Sequence, residues 1–367
     1  MSSATSDIVI IGAGIAGASV GARLAEAGAR VLLLETEAQP GMHATGRSAA
    51  FWQASLGGDT PERQLSLASK PMFDAGWPGS EVPLLRKRGA IHLTGPCGEN
   101  FPAPGDLVGE DVPVHLDRAA LDGKIDGLRD SWSGGWWEAS CADIDVAAFH
   151  AACLSAVRRH GGTVVTGAEL LSARRAGNGW IIMTSGGEFS APVLVNAAGA
   201  WGDIVAERSG VTAMGLEPRR RTVVQLRVGK TGLADTPFVT DLHASFYFKG
   251  EGDNSVWVCP LDQTPSPPCD SAPEEIDVAT AIDRFEKAID WPVEAVTRKW
   301  SGLRTFAPDE RMRFGFDREA QGFFWCVGQG GMGIQTAPAY SLLCRNLILG
   351  EPIDPAIDAV TAEDFAP

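Results

Sequence analysis

The sequence predicts an α/β chain in which a parallel sheet is joined to a second, α+β part built on an antiparallel sheet. Three observations carry this. Near the start, the apolar run Ile8–Ile11 leads into a glycine-rich turn and a helical pattern, the order of a parallel βαβ unit. In the middle, residues 216–258 alternate apolar and polar side chains, as at Val223–Val228 and Phe246–Phe248, the period of half-buried antiparallel strands. Late in the chain, the strand Phe323–Val327 runs into Gly328-Gln-Gly-Gly-Met-Gly333 and a helix predicted over Gln335–Ile348.

The first unit is the most informative. Gly12, Gly14 and Gly17 form G-x-G-x-x-G directly after the strand, and Ala16, Val20 and Leu24 follow at helical spacing. Gly28 ends the helix, Val31–Leu34 is a second buried strand, and Glu35 closes it eighteen residues beyond Gly17. Gly12 permits the tight turn, Gly14 lets a pyrophosphate approach the backbone, and Gly17 lets helix and strand pack closely. The helix start offers free N–H groups and a positive dipole end. Glu35 can accept from a ribose hydroxyl. A Rossmann-like dinucleotide site follows from the agreement of all these parts.

The remaining elements are read in order. Residues 36–58 are broken by Gly41, Gly46, Gly57 and Gly58 and read as a loop around a ligand. A helix is predicted over Pro61–Phe73 and a strand of another sheet over Pro83–Thr94. Residues 95–145 hold little regular pattern, with Trp132, Trp136 and Trp137 marking a packed edge. Asp145 can cap a helix in which Val146, Phe149, Cys153 and Ala156 or Val157 share a face. Short strands follow at Thr163–Val165, Leu170–Arg175, Trp180–Thr184 and Val193–Asn196. A helix is expected beyond Trp201 and another over Ile276–Ile289.

Composition sets limits. The 367 residues, 44% hydrophobic and 21% charged, describe a globular protein with room for about two domains. A net charge of −15 argues against nucleic acid or an anionic membrane surface as the main partner. No apolar run is long enough to span a membrane, and the N-terminus shows no signal peptide. The seven cysteines, Cys97, Cys141, Cys153, Cys259, Cys269, Cys326 and Cys344, form no C-x-x-C pair. They suggest neither a metal site nor a disulfide framework, and a cytoplasmic location fits reduced thiols.

The glycine-rich regions lie far apart in sequence. A nicotinamide enzyme concentrates its fingerprint in one contiguous unit. The β-rich insert near 163–190 and the late strand–glycine–helix unit fit flavin adenine dinucleotide (FAD) better, because its isoalloxazine must be met by segments other than the first turn.

Seven stretches, IVIIGAGIAGAS, EAQPGMHATGRSAA, VLVNAAGAW, GLEPRRR, SFYFK, WSGLRTF and GFFWCVGQGGMGIQT, carry a family resemblance across nearly the whole chain. It resembles the FAD-dependent oxidoreductases of the D-amino acid oxidase, glycine oxidase and sarcosine oxidase superfamily, and within it is most similar to bacterial D-arginine dehydrogenases. The resemblance implies that Gly12, Gly14, Ile15 and Ala16 form the pyrophosphate turn, with Gly17 behind it. It makes Glu35, beside Thr36, the ribose ligand. It implies that Gly46, Arg47, Ser48, Ala49 and Ala50 run beside the flavin and that Leu170 offers a backbone contact to adenine. Ala197 and Gly199 match the second glycine-bearing loop. Gly331, Met332, Gly333, Ile334 and Gln335 match a helix start at the flavin's pyrimidine end, where free N–H groups stabilise negative charge. The flavin is expected to be non-covalent, since Gly302–Phe306 holds no attachment cysteine.

On the substrate side the resemblance implies that Arg221, Tyr247 and Arg304 hold an α-carboxylate, for which the planar fork of Arg is suited. Phe51, Leu56 and Ala90, with Gly331 and Gln335, line the expected pocket. Phe51, Leu56 and Ala90 stand where the D-arginine enzymes place a histidine, a tyrosine and a carboxylate. An apolar or aromatic D-amino acid is therefore expected, with an acidic substrate held by Arg86 or Arg88 as a further option. His43, His92 and His243 are read as structural. The implied reaction is hydride transfer from Cα to flavin N5, giving an imino acid that hydrolyses to a 2-oxo acid and ammonia. The electron acceptor is left open. The alternatives are oxidation of a secondary amine or a 2-hydroxy acid, or a flavin-binding protein without turnover. Residues 1–80, 146–215 and 300–367 are assigned to the FAD-binding domain, and 81–145 and 216–299 to the substrate domain.

Overall fold

The computed structural model describes residues 6–95 and 107–367; Cys97 lies outside the described residues. Six strands form the first sheet, in the order Arg313–Phe316, Phe323–Val327, Val193–Asn196, Ile8–Ile11, Val31–Leu34, Thr163–Val165. Its pairings are parallel except at the Arg313–Phe316 edge. Both faces are covered, so its central strands are continuous apolar runs without alternation. Ile10, Leu33 and Val195 face one side, with Val20, Phe149 and Leu343 from the helices Ile15–Glu26, Val146–Arg159 and Ala337–Leu349. Val9, Leu32 and Leu194 face the other, under Trp180 and Ile182 of a three-stranded antiparallel sheet over residues 170–191.

The second large sheet has eight strands, in the order Val293–Phe306, Glu217–Val228, Ser255–Cys259, Tyr247–Gly250, Phe238–Asp241, Ala90–Thr94, Gly134–Glu138, Val114–Asp117. One face buries Val224, Phe248 and Val258 against Phe285 of the helix Glu275–Ala288 and Trp291 beyond it. The opposite face carries Arg304, Arg221, Cys259, Tyr247, Phe238, Ala90 and Glu138, as the strand registers require.

Several expectations are corrected. The strand read over Pro83–Thr94 is two strands. Leu85–Lys87 joins a small sheet with Phe51–Trp52 and Ala142–Ile144, and Ala90–Thr94 joins the eight-stranded sheet. Gly89 breaks them: its φ is +77°, and a Cβ there would stand 2.0 Å from the Trp137 ring. Within 95–145, read as irregular, the described residues hold three strands and the helix Arg118–Asp122. The strand Val293–Phe306 continues past residue 300, so Arg304 belongs to the eight-stranded sheet. The last helix begins at Ala337, with Pro338 in its first turn, where a missing N–H costs nothing. Gly331–Gln335 are therefore turn residues ahead of the helix.

Candidate active site

The first glycine turn is shaped by contacts that only glycine permits. Gly12 has a φ of +99°, and a Cβ on it would lie 2.6 Å from Ala197 O. A Cβ on Gly17 would lie 1.9 Å from Gly12 O. The structure thus brings Gly12 and Ala197, far apart in sequence, into backbone contact, and Ala197 N donates to Ile11 O at 2.9 Å. Gly199, at φ +53°, follows in the same loop. Glu35 is buried at the end of its strand. Its Oε2 accepts from Ala13 N at 2.9 Å and its Oε1 from Glu37 N at 3.0 Å. Thr36 is exposed beyond it. Ala168 N donates to Glu35 O at 2.8 Å, which sets Leu170, at the start of its strand, beyond the same end of the sheet.

The segment 40–50 folds over this turn. Thr45 Oγ1 accepts from Ile15 N at 3.0 Å and stands 3.1 Å from where a Gly14 Cβ would be. Ala50 N donates to Ser48 Oγ at 3.1 Å, and Ala49 joins the apolar cluster of the site face. Gly46 closes on Gly41 O. The Arg47 side chain points elsewhere. It donates to Ser271 O and Ser301 O at 3.0 and 3.1 Å and pairs with Asp270, while its carbonyl accepts from Trp300 Nε1 at 3.0 Å. Arg47 ties the loop to the eight-stranded sheet.

The turn 329–335 is the third wall. Among the described residues, no protein acceptor takes the backbone amides of Gly333, Ile334 or Gln335. Gln335 is 2% exposed; its Oε1 accepts from Gln53 N at 3.2 Å, and its buried Nε2 has no partner. Met332 lies against Gly57, and a Cβ on Gly331 would stand 2.9 Å from Arg304 Nη1. These open donors, with the glycine turn and Glu35, fit a dinucleotide cofactor.

Arg304, Arg221 and Tyr247 come together on the sheet face beside this turn. Arg304 lies deep in the molecule yet keeps accessible surface, and no carboxylate touches it among the described residues. Burial and the neighbouring Arg221 lower its pKa, against the opposite pull of Tyr247, Cys259 and Asp262. Arg221 Nε donates to Asp262 O at 2.8 Å, and its Nη1 is buried without a partner. Burial pushes the Tyr247 phenol well above its ordinary value, with the two arginines pulling the other way. Two neighbouring guanidiniums without a carboxylate contact among the described residues, beside a neutral phenol, have the chemistry to receive an anion.

An aromatic wall continues from Tyr247. Phe51 contacts the Phe238 ring at 4.4 Å and the Tyr247 ring at 5.6 Å between centroids, and Ala90 belongs to the same cluster. Leu56, 42% exposed, stays at the surface. Arg86 and Arg88 both pair with Asp143, and Arg86 also with Asp235, so each already has a carboxylate partner, unlike Arg304. His43 bonds Glu37 at 2.9 Å and His92 bonds Glu138 at 3.1 Å. The sequence reading missed Thr45, Gln53, Glu138, Phe238 and Lys249. Thr45 and Lys249 lie within the quoted stretches EAQPGMHATGRSAA and SFYFK but were given no role there; the alternation of the strands bearing Phe238 and Lys249 places them on one face with Tyr247.

Fold and cradle together define a flavin-type nucleotide-binding oxidoreductase. The DAO family model, FAD-dependent oxidoreductase, matches residues 7–346, and the chain belongs to that family. A glycine oxidase from Geobacillus kaustophilus is 24% identical over 363 residues, spanning 93% of this chain and 92% of its own. Among solved structures, iminodiacetate oxidase from Chelativorans sp. BNC1 superposes with a TM-score of 0.81 at 20% identity over 98% of both chains. L-α-Glycerophosphate oxidase from Mycoplasma pneumoniae, solved with FAD bound, gives 0.83 at 13% identity over 96% of this chain and 97% of its own. These solved structures share the fold. The protein is an FAD-dependent oxidoreductase.

Proposed function

We propose that the protein oxidises a D-amino acid with an apolar or aromatic side chain, and that Arg304 carries the recognition. The single supporting observation is its guanidinium: deep in the protein, beside Gly331, in contact with no carboxylate among the described residues. A substrate carboxylate supplies the missing anion, with Arg221 as second donor and the neutral Tyr247 hydroxyl as third. This fixes the plane of the substrate, and such orientation is worth several kcal/mol of barrier. FAD, when bound, accepts the hydride released from Cα. The amine must be neutral first, and water takes its proton. Water then adds to the imino acid to give a 2-oxo acid and ammonia.

The side chain is assigned to the wall of Phe51, Phe238 and Ala90, where apolar contact is the available interaction. The D configuration rests on the resemblance of the GRSAA loop and WSGLRTF stretch to D-arginine dehydrogenases. The secondary-amine reading uses the same clamp and has a parallel in iminodiacetate oxidase, which shares this chain's fold. Anaerobic addition of single substrates to the yellow holoenzyme separates the readings through loss of visible flavin absorbance. D-phenylalanine and D-leucine should bleach it at millimolar concentration, ahead of D-arginine, L-amino acids, iminodiacetate and 2-hydroxy acids. Bleaching by iminodiacetate alone establishes the second reading in place of the first.

A further inference from the structure

A fully buried carboxylate is costly unless its lone pairs are taken. Glu138 is 0% exposed and accepts from four donors. Ser55 N lies at 3.1 Å, Ser55 Oγ at 2.6 Å, Gln53 Nε2 at 3.3 Å and His92 Nε2 at 3.1 Å. Three of the four come from the short segment Gln53–Ser55, which follows the strand Phe51–Trp52. That segment has no regular partner strand of its own beyond Trp52, so Glu138 holds its course. Gln53 N then donates to Gln335 Oε1 at 3.2 Å. With its oxygen fixed, Gln335 is left with a buried Nε2 that no atom of the described residues accepts, in the turn where the amides of Gly333, Ile334 and Gln335 are likewise open among those residues.

We propose that Glu138, supported by His92, is a positioning residue for the cofactor: it fixes Gln53–Ser55, which presents Gln335 Nε2 as a hydrogen-bond donor to an acceptor atom of FAD. A role as acid or base toward substrate does not fit, because Glu138 has no accessible surface and all its donors are in place. The inference concerns the cofactor and holds whichever amine is oxidised.

The test is FAD release from the holoenzyme on dilution, read as free-flavin fluorescence, with the visible bands of the bound flavin as a second readout. Gln335→Leu should weaken FAD binding roughly three- to tenfold, the loss of one buried hydrogen bond. Glu138→Gln should weaken it by a similar factor and move the visible bands in the same direction. The double variant should be no weaker than the worse single one, because both break one chain of contacts. Ser55→Ala removes only the shortest of the four bonds; should Glu138→Gln not fold, it takes that place in the cycle. Unchanged affinity in Gln335→Leu, or losses that multiply in the double variant, overturns the proposal. Failure of every D-amino acid to bleach the flavin would leave these affinities untouched, so the two readings fail separately.

Discussion

Arg304 and Arg221 show how a guanidinium declares its purpose through what it lacks. In the run Arg219-Arg220-Arg221, Arg219 pairs with Glu217 and Glu310, and Arg220 with Glu274 and Asp277. Among the described residues Arg221 keeps only the Asp262 carbonyl. Sequence could not divide the three, since their difference lies in acids contributed by distant segments. Arg304 was more legible, being set in an apolar strand where an unpaired cation is expensive. Arg304→Ala should cost about 2–5 kcal/mol in flavin reduction by substrate, as expected for a desolvated charge pair; stopped-flow rates at several substrate concentrations measure it, and near-normal reduction would remove Arg304 from the clamp. Gly331→Ala is gentler. Its Cβ would meet Arg304 Nη1 at 2.9 Å, and a guanidinium can swing where backbone cannot. The fold should hold, with an unchanged melting temperature, while KM rises and FAD is retained. Melting curves and steady-state kinetics on one preparation check both halves.

At the scale of elements, the first βαβ unit was readable because its physics is local: an apolar run, a turn that needs glycine, and an acid at the next strand's end. The eight-stranded sheet was readable only in part. Its strands between 114 and 138 are short, and Gly134 and Gly135 leave no side chain to show a period; a Cβ on Gly134 would stand 2.6 Å from Leu116 O. The helix start after Gln335 was placed two residues early because the turn ahead of it is apolar as well. Thr45 stands in a stretch that carried the family resemblance, but its role was not legible, since its partner Ile15 lies thirty residues away. It still acts on the element: it caps the first helix from outside and roofs the Gly14 turn. Thr45→Val keeps the shape and deletes the acceptor. A loss of about 1 kcal/mol of stability is expected, with weaker FAD retention. Urea unfolding with and without added FAD measures the two effects, and identical curves for both proteins would show that Thr45 is dispensable.

Across the whole molecule, the small sheet that joins the two large ones is held by charge. Asp143 accepts from Arg88 Nε at 2.7 Å and Lys249 Nζ at 3.2 Å, and Arg86 reaches it as well. Lys249 is itself packed over the Trp257 ring at 4.7 Å. Burial pushes the Asp143 carboxyl up, but the Arg88 hydrogen bond and the charges of Lys249 and Arg88 outweigh it, and the net shift is downward. Glu138 is likewise held below its ordinary range: His92 and Ser55 outweigh burial. For both groups the folded pKa lies below the unfolded one. Their contribution is therefore complete above the ordinary carboxylate range, about pH 4, and disappears as pH falls through the folded values, because the unfolded chain binds protons first. Asp262 works in the opposite sense, since burial raises it, and it offsets part of the loss. The melting temperature should accordingly fall on acidification below about pH 5. Asp143→Asn should lower stability near neutrality by about 3 kcal/mol, because Arg88 keeps its buried charge without the anion, while Lys249 retains Glu251 at 3.2 Å. The same variant should also flatten the acid limb, having no Asp143 proton left to take up. Thermal unfolding of both proteins from pH 7 to pH 3.5 decides it: an acid limb of equal slope in the variant would mean that exposed carboxylates, and not this buried junction, set the acid limit of the fold.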